Sequence, residues 1–120
     1  MELVEDKYNS DFNINKYVDN TITINGTSFS EPIIFFERKI SSFPVNNPKL
    51  ININDIEKYL ESIDLVLIGT GTNTILPNQD LIELMYKNNK GLEFMNTDSA
   101  CKTHNVLLSE NRSFISVLYP

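Results

Sequence analysis

The residues best equipped for chemistry stand in two short stretches of the second half of the chain. The first is Ile68-Gly69-Thr70-Gly71-Thr72, a glycine-containing turn at the carboxyl end of an apolar run. Backbone amides in such a turn can approach an anion closely, because glycine has no side chain to stand in the way. The segment has neither the third glycine of a dinucleotide fingerprint nor the Gly-Lys-Ser/Thr of a phosphate loop. Its glycines serve equally well for a tight exit from a sheet. The second stretch runs from Glu93 to Asn105. Thr97, Asp98 and Ser99 read as a strand-to-helix turn, where unpaired amides and partial positive charge favour an anion, with Lys102 adding a full charge. The same field would favour the thiolate of Cys101 in the first turn, and His104 lies on the same side of the helix as a candidate base. Against this dyad, Ala100, Cys101, His104, Leu107 and Leu108 form the apolar stripe that a helix needs to cover a sheet. On that reading Cys101 packs as a small hydrophobe and His104 is a satisfied interior ring. One Cys and one His fall short of a zinc ligand set, so neither a metal nor a cofactor is expected. Glu110 and Arg112 read as solvated surface, and Asp55, Glu57, Glu61 and Asp64 lack the opposed pair that acid-base hydrolysis requires.

These segments need elements to position them. In the first half, Ile22-Thr23-Ile24 and Thr27-Ser28-Phe29 alternate on either side of Asn25-Gly26, which predicts a hairpin. Ile33-Ile34-Phe35-Phe36 is apolar throughout, as expected of a strand covered on both faces. Pro44 and Pro48 then bound a loop. From Asn52 onward helices and strands alternate. A short helix capped by Asn52 or Asn54 carries Ile56, Tyr59, Leu60 and Ile63, and Leu65-Val66-Leu67-Ile68 follows as an apolar strand. Pro77 is expected to open a second helix facing Leu81, Leu84 and Met85 to the core, and Gly91 to stop it. Leu92 to Met95 make a further strand, and Thr97 or Asp98 caps the third helix. Asn111 ends it in the left-handed region, and Phe114 to Tyr119 alternate as a closing strand. The expected fold is a single α/β domain over residues 1–120, strand-rich over 1–50 and alternating over 51–120. It has three layers: a central mixed sheet with helices on both faces and an antiparallel hairpin region at the amino end.

Composition narrows the function classes. The 120 residues suffice for one core, and 41% hydrophobic with 22% charged residues matches a globular chain, so disorder is not expected. A net charge of −6 repels phosphate backbones and anionic lipid, which argues against nucleic-acid binding. The longest apolar runs, Ile33 to Phe36 and Leu65 to Ile68, are far too short to span a bilayer, so no membrane insertion is expected. The acidic opening Met1-Glu2-Leu3-Val4-Glu5-Asp6 has the build of neither a secretory signal nor a transit peptide, which predicts a cytoplasmic protein. The lone Cys101 excludes an internal disulfide.

Several of these residues also carry a resemblance. Leu67-Ile68-Gly69-Thr70-Gly71, Gly91 with Glu93 and Met95, Asn96 through Leu107, and Glu110-Asn111-Arg112 together resemble a family of small domains of unknown function. That family includes the mitochondrial NADH:ubiquinone oxidoreductase (complex I) assembly factor 3 and the adipogenesis-associated domain protein. The resemblance covers the last half of the chain well, while the first half agrees mainly in its strand-rich pattern. It implies a three-layer α/β fold and brings no established catalytic activity. In the family the place of Lys102 is often Arg, that of His104 usually Tyr or Phe, that of Asn96 often Asp, and that of Asn111 Gly. An aromatic ring at the place of His104 implies packing there rather than catalysis. Two functions follow as expectations. One is a non-catalytic interaction module that assists assembly of a multi-subunit complex and has a protein partner, or associates with itself as a homodimer through the Phe-rich first half. The other is an anion or small-ligand site, or an enzyme, in the crevice between Gly69–Thr72 and Thr97–Cys101.

Overall fold

Two two-residue turns shape the amino-terminal sheet of the computed structural model, which describes residues 11–120. β1 (Ile14–Val18), β2 (Thr21–Ile24) and β3 (Thr27–Phe29) pair antiparallel in that order. Asn25 and Gly26 take φ of 49° and 81°, the positive pair that matches a tight turn to the twist of its strands. Asp19 and Asn20, with φ of 54° and 57°, make the same kind of turn between β1 and β2. That turn has no glycine to announce it, but Asp and Asn tolerate the left-handed region because their short side chains bond locally. The acidic opening Met1 to Asp6 lies outside the described residues.

The larger sheet contains β4 (Ile33–Phe36), β5 (Lys39–Ser42), β6 (Leu65–Gly69), β7 (Gly91–Met95) and β8 (Phe114–Leu118), in the order β5-β4-β8-β6-β7. β8 runs parallel to β6 and antiparallel to β4, which makes the sheet mixed, and β7 is also parallel to β6. The closing strand forms where expected and takes a central place, and all five of its residues are buried, Ser116 included. Strict alternation along these strands divides the interior in two. Ile33, Phe35, Leu65, Leu67, Phe114 and Leu118 point to one core, and Ile34, Val66, Ile68, Ile115 and Val117 to the other.

Three helices complete the layers. α1 (Ile53–Ile56) is a single turn that continues as a tighter 3-10 segment over Glu57–Ser62. Its cap is Asn52, whose side chain accepts from the Asn54 amide at 2.9 Å while Asp55 Oδ2 accepts from the Asn52 amide at 2.8 Å. α2 (Gln79–Lys87) starts two residues later than Pro77 predicts, because Asn78 is the cap and accepts from the Leu81 amide at 2.9 Å. It also stops before Gly91. Asn89 takes the left-handed conformation (φ 57°), and the Asn89 and Lys90 amides return to the Tyr86 and Met85 carbonyls. Gly91 instead opens β7. α3 (Thr97–Ser109) is capped by Asn96 rather than by Thr97 or Asp98, and Asn111 (φ 56°) ends it as expected. α1 with its 3-10 continuation and α2 supply Ile56, Leu60, Leu81 and Met85 to one core, while α3 and the small sheet supply Ala100, Cys101, Leu107, Ile22 and Ile24 to the other. The chain leaves β6 for β7 over one face and returns across β6 to β8 over the opposite face. The two parallel crossovers therefore have the same hand.

Candidate functional site

Because β6 and β7 are parallel neighbours, the turns that follow them open on the same edge of the sheet, and the predicted segments meet there. Gly69 sits where α3 crosses close to the sheet. A Cβ there would stand 2.9 Å from Ala100 Cβ and 3.0 Å from a Leu118 methyl, so only glycine fits. Gly71 takes φ of 98°, the region that glycine enters freely. Both glycines therefore have structural reasons to be where they are.

The polar atoms of the two turns are largely directed at one another. The Thr70 amide donates to Met95 O at 2.8 Å, the Thr97 amide to Gly71 O at 2.8 Å, and the Tyr119 amide to Gly69 O at 2.9 Å. Thr97 Oγ1 is the hub. It accepts from the Gly71 amide at 2.7 Å and donates to Tyr119 O at 2.6 Å, which ties α3, the β6 turn and the end of β8 together. Thr97 is fully buried. Thr70 Oγ1 lies 2.6 Å from Asn73 O and accepts from the Ile75 amide at 3.1 Å, ordering the exposed loop in which Thr72 stands. The Ser99 amide donates to the Asn96 cap at 2.9 Å. The amides of Thr70, Gly71, Thr97 and Ser99, which an anion would need, are thus already engaged.

The surface above this joint is a shallow hollow of about 230 Å³ bounded by Gly71, Thr72, Asn96 and Asp98, with Tyr17 and Asp19 from the small sheet. Two carboxylates border it. Lys102 lies 3.6 Å from Asp98 and lines a neighbouring hollow instead, and both side chains are largely exposed, so the pair contributes little. The amino-terminal residues Tyr17 and Asp19 carry no local signal of this placement. Only the docking of a separate sheet brings them here.

Cys101 and His104 are placed in the core but not as a dyad. Cys101 is the fifth residue of α3, one full turn in, where the field of the helix end has faded. Only 6% exposed, its thiol is pushed up to about 12, first by burial and then by the Asp98 carboxylate. His104 is fully buried, and both ring nitrogens have other partners. Nε2 stands 3.0 Å from the Phe12 carbonyl, which can only accept, so the proton lies on Nε2. Nδ1 then accepts from Ser116 Oγ at 2.8 Å. Phe35 and Phe114 pack edge-on to the imidazole with centroids at 4.9 and 5.5 Å. Burial lowers its pKa to about 4, the Phe12 bond opposing, so the ring is neutral at pH 7. This is an aromatic packing position with a polar fastening. Its neighbour Asn105 adds a second fastening that sequence reasoning missed. Its side chain accepts from the Ile14 amide at 2.7 Å and donates to the Ile14 carbonyl at 3.0 Å, in the manner of a strand partner. A polar Ser116 inside an otherwise apolar strand was the one local sign of such a network. No cluster of metal-ligating side chains occurs among the described residues.

Comparison with known proteins gives a consistent picture. The chain is 30% identical over 124 residues to the "13 kDa major membrane protein" of Francisella tularensis, covering 98% of each. It is 35% identical over 94 residues to the fruit-fly "NADH dehydrogenase [ubiquinone] 1 alpha subcomplex assembly factor 3", covering 74% of this chain and 48% of the fly protein. The chain thus spans about half of that relative's length. A crystal structure of a Bordetella parapertussis protein superposes with a TM-score of 0.80 at 28% identity, covering 89% of this chain and 93% of that one. A Bartonella henselae structure described as an outer membrane protein has a TM-score of 0.79 at 24% identity, covering 92% and 95%. Among the described residues of the present chain, no helix is long and apolar enough to cross a membrane. Residues 14–119 match the model of the protein family of unknown function DUF498/DUF598, and the chain belongs to that family.

Proposed function

We propose that this chain acts as a single-domain, non-catalytic interaction module that assists assembly of a multi-subunit complex. The observation that carries the reading is the match of most of the chain to assembly factor 3. Two features of the site are in keeping with it: Cys101 is buried with a raised pKa, and the amides of Thr70, Gly71, Thr97 and Ser99 are engaged. A cytoplasmic location accords with the net charge of −6. The name of the Francisella relative is accommodated if the client is a membrane-bound complex and the module docks on its aqueous face.

The apolar side chains still in solvent are the natural docking groups. Leu50 and Leu76 are 64% and 63% exposed, and Asn78 joins their segments by donating to the carbonyls of Lys49 and Ile51. The test compares native gels of membrane and soluble complexes from cells with and without the gene, together with affinity capture by the wild-type chain and by a Leu50→Ser/Leu76→Ser variant. The reading expects a stalled subcomplex in the deletion strain, and a captured subunit of that same complex that the variant loses. Normal complexes in the deletion strain would overturn it.

A further inference from the structure

On the face opposite α3, none of the described residues covers the sheet along its β5 edge. The register of β4 and β5 sets Ser41 opposite Ile34 and Lys39 opposite Phe36, so these four residues share the face that α1 covers further in. Between this strip and α1 runs a cleft of about 510 Å³. Its floor is apolar, formed by Ile34 and Phe36, and the Tyr59 ring stands 5.1 Å from that of Phe36 at 64°. Its polar groups converge from two sides. Lys39 comes from the strand and Lys58 from the 3-10 continuation of α1, its Nζ 5.2 Å from the centre of the Tyr59 ring. Among the described residues neither lysine makes an ion pair and the Ser41 hydroxyl has no hydrogen-bond partner. Among the described residues the one carboxylate on the wall is that of Asp55, which already accepts from the Asn52 amide at 2.8 Å. A chain with a net charge of −6 thus presents a locally cationic cleft with an aromatic wall. Volume, apolar floor and a few convergent polar groups are the attributes of small-molecule sites, which span about 300 to 1,000 Å³.

We propose that this cleft binds a small organic anion, its ring or alicyclic body seated against Ile34, Phe36 and Tyr59 and its carboxylate or sulfonate held by Lys39 and Lys58. The site lies on a different face from the turns after β6 and β7 and stands independently of the assembly reading. Burial of the ring supplies the attraction and the lysines select for charge, Tyr59 also steadying the Lys58 ammonium through its π-face. Backbone NMR of the full chain titrated with 2-naphthoate tests it, with 2-naphthylmethanol and acetate standing for the apolar and the charged half of the probe. Naphthoate should saturably shift the amides of Lys39–Ser42 and Asn54–Tyr59, and each half-probe should bind at least about tenfold more weakly. Lys39→Gln with Lys58→Gln should weaken naphthoate about tenfold while leaving the spectrum dispersed and binding of the alcohol unchanged. Absence of saturable shifts at these amides, shifts centred elsewhere, or equal affinity for the acid and the alcohol would overturn the assignment.

Discussion

Acidification should test the buried imidazole directly. In the folded chain His104 titrates at about 4, against an ordinary value of 6.5. Between those values the unfolded chain carries a proton on this ring and the folded chain does not, so lowering the pH favours the unfolded state. Stability is unaffected above about pH 7, begins to fall as the pH drops through 6.5, and has lost the whole contribution once it is below about 4. The gap corresponds to about 3 kcal/mol in total, of which about 2 kcal/mol is lost by pH 5. For a chain of this length that partial loss equals about 8 °C in Tm. The sixteen Asp and Glu residues also titrate as the pH falls, so the informative quantity is a difference. His104→Phe combined with Ser116→Ala removes the titrating ring and the hydroxyl it would otherwise orphan, and puts an aromatic ring among Phe12, Phe35 and Phe114. Urea unfolding of wild type and double variant from pH 7.5 to 4.5 should show the wild type losing stability faster by about 1.2 kcal/mol per pH unit below 6. Parallel pH profiles, or an NMR titration that places the His104 midpoint above 6, would refute the reasoning.

Three further predictions rest on the same interior. Thr97→Val keeps the shape of the hub but orphans the Gly71 amide and the Tyr119 carbonyl, and should cost about 2 to 5 kcal/mol in chemical denaturation, whereas Thr97→Ser should cost under about 1.5 kcal/mol. Tyr119 is buried with no partner for its hydroxyl among the described residues, and burial followed by the nearby Asp55 charge raises its pKa. Tyr119→Phe should therefore leave stability unchanged or raise it by up to about 1 kcal/mol, and a loss of more than that would reveal a partner for the hydroxyl. Cys101 should react with a disulfide reagent at pH 8 at least about a hundredfold more slowly in the native state than in urea, since thiolate is scarce and access is closed; equal rates would contradict its burial.

What was legible in the sequence depended on whether a local rule decided it. Asn25-Gly26 announces its turn because glycine's freedom is written in the residue type, whereas Asp19-Asn20 makes the same turn from residues that are equally at home at caps and in loops. The covered strands β4 and β6 were readable as apolar runs. β8 was readable as a strand from Phe114 to Tyr119, but not its central place or the burial of Ser116, which only the His104 ring, brought over it by α3, makes tolerable. Helix starts were displaced by a residue or two at α2 and α3, where Asn78 and Asn96 supply the oxygen that the following amides need. That the two glycine and threonine turns share an edge followed from strand order alone. That their donors would be used on each other did not, since this turns on Thr97 Oγ1 standing 2.7 Å from one backbone group and 2.6 Å from another.

The hub also bears on how the two glycines and the helix start should be understood together. An anion bound at the Gly71 amide would have to displace Thr97 Oγ1, which would leave the Tyr119 carbonyl unpaired in a buried place, at a cost of about 1 to 3 kcal/mol before any gain. It would then approach Asp19 and Asp98 across the hollow, while Lys102 is paired with Asp98 and lines the neighbouring hollow instead. Each term opposes binding. The same terms favour a joint: three segments from different parts of the chain are held by one buried hydroxyl, and Gly69 lets α3 settle onto them without a gap. Residues that resemble a phosphate-binding turn are therefore well explained by the closure of β6, β8 and α3. Any specificity of this domain is better sought where polar side chains remain unpaired beside an aromatic wall, and among the described residues the cleft beside β5 meets that condition.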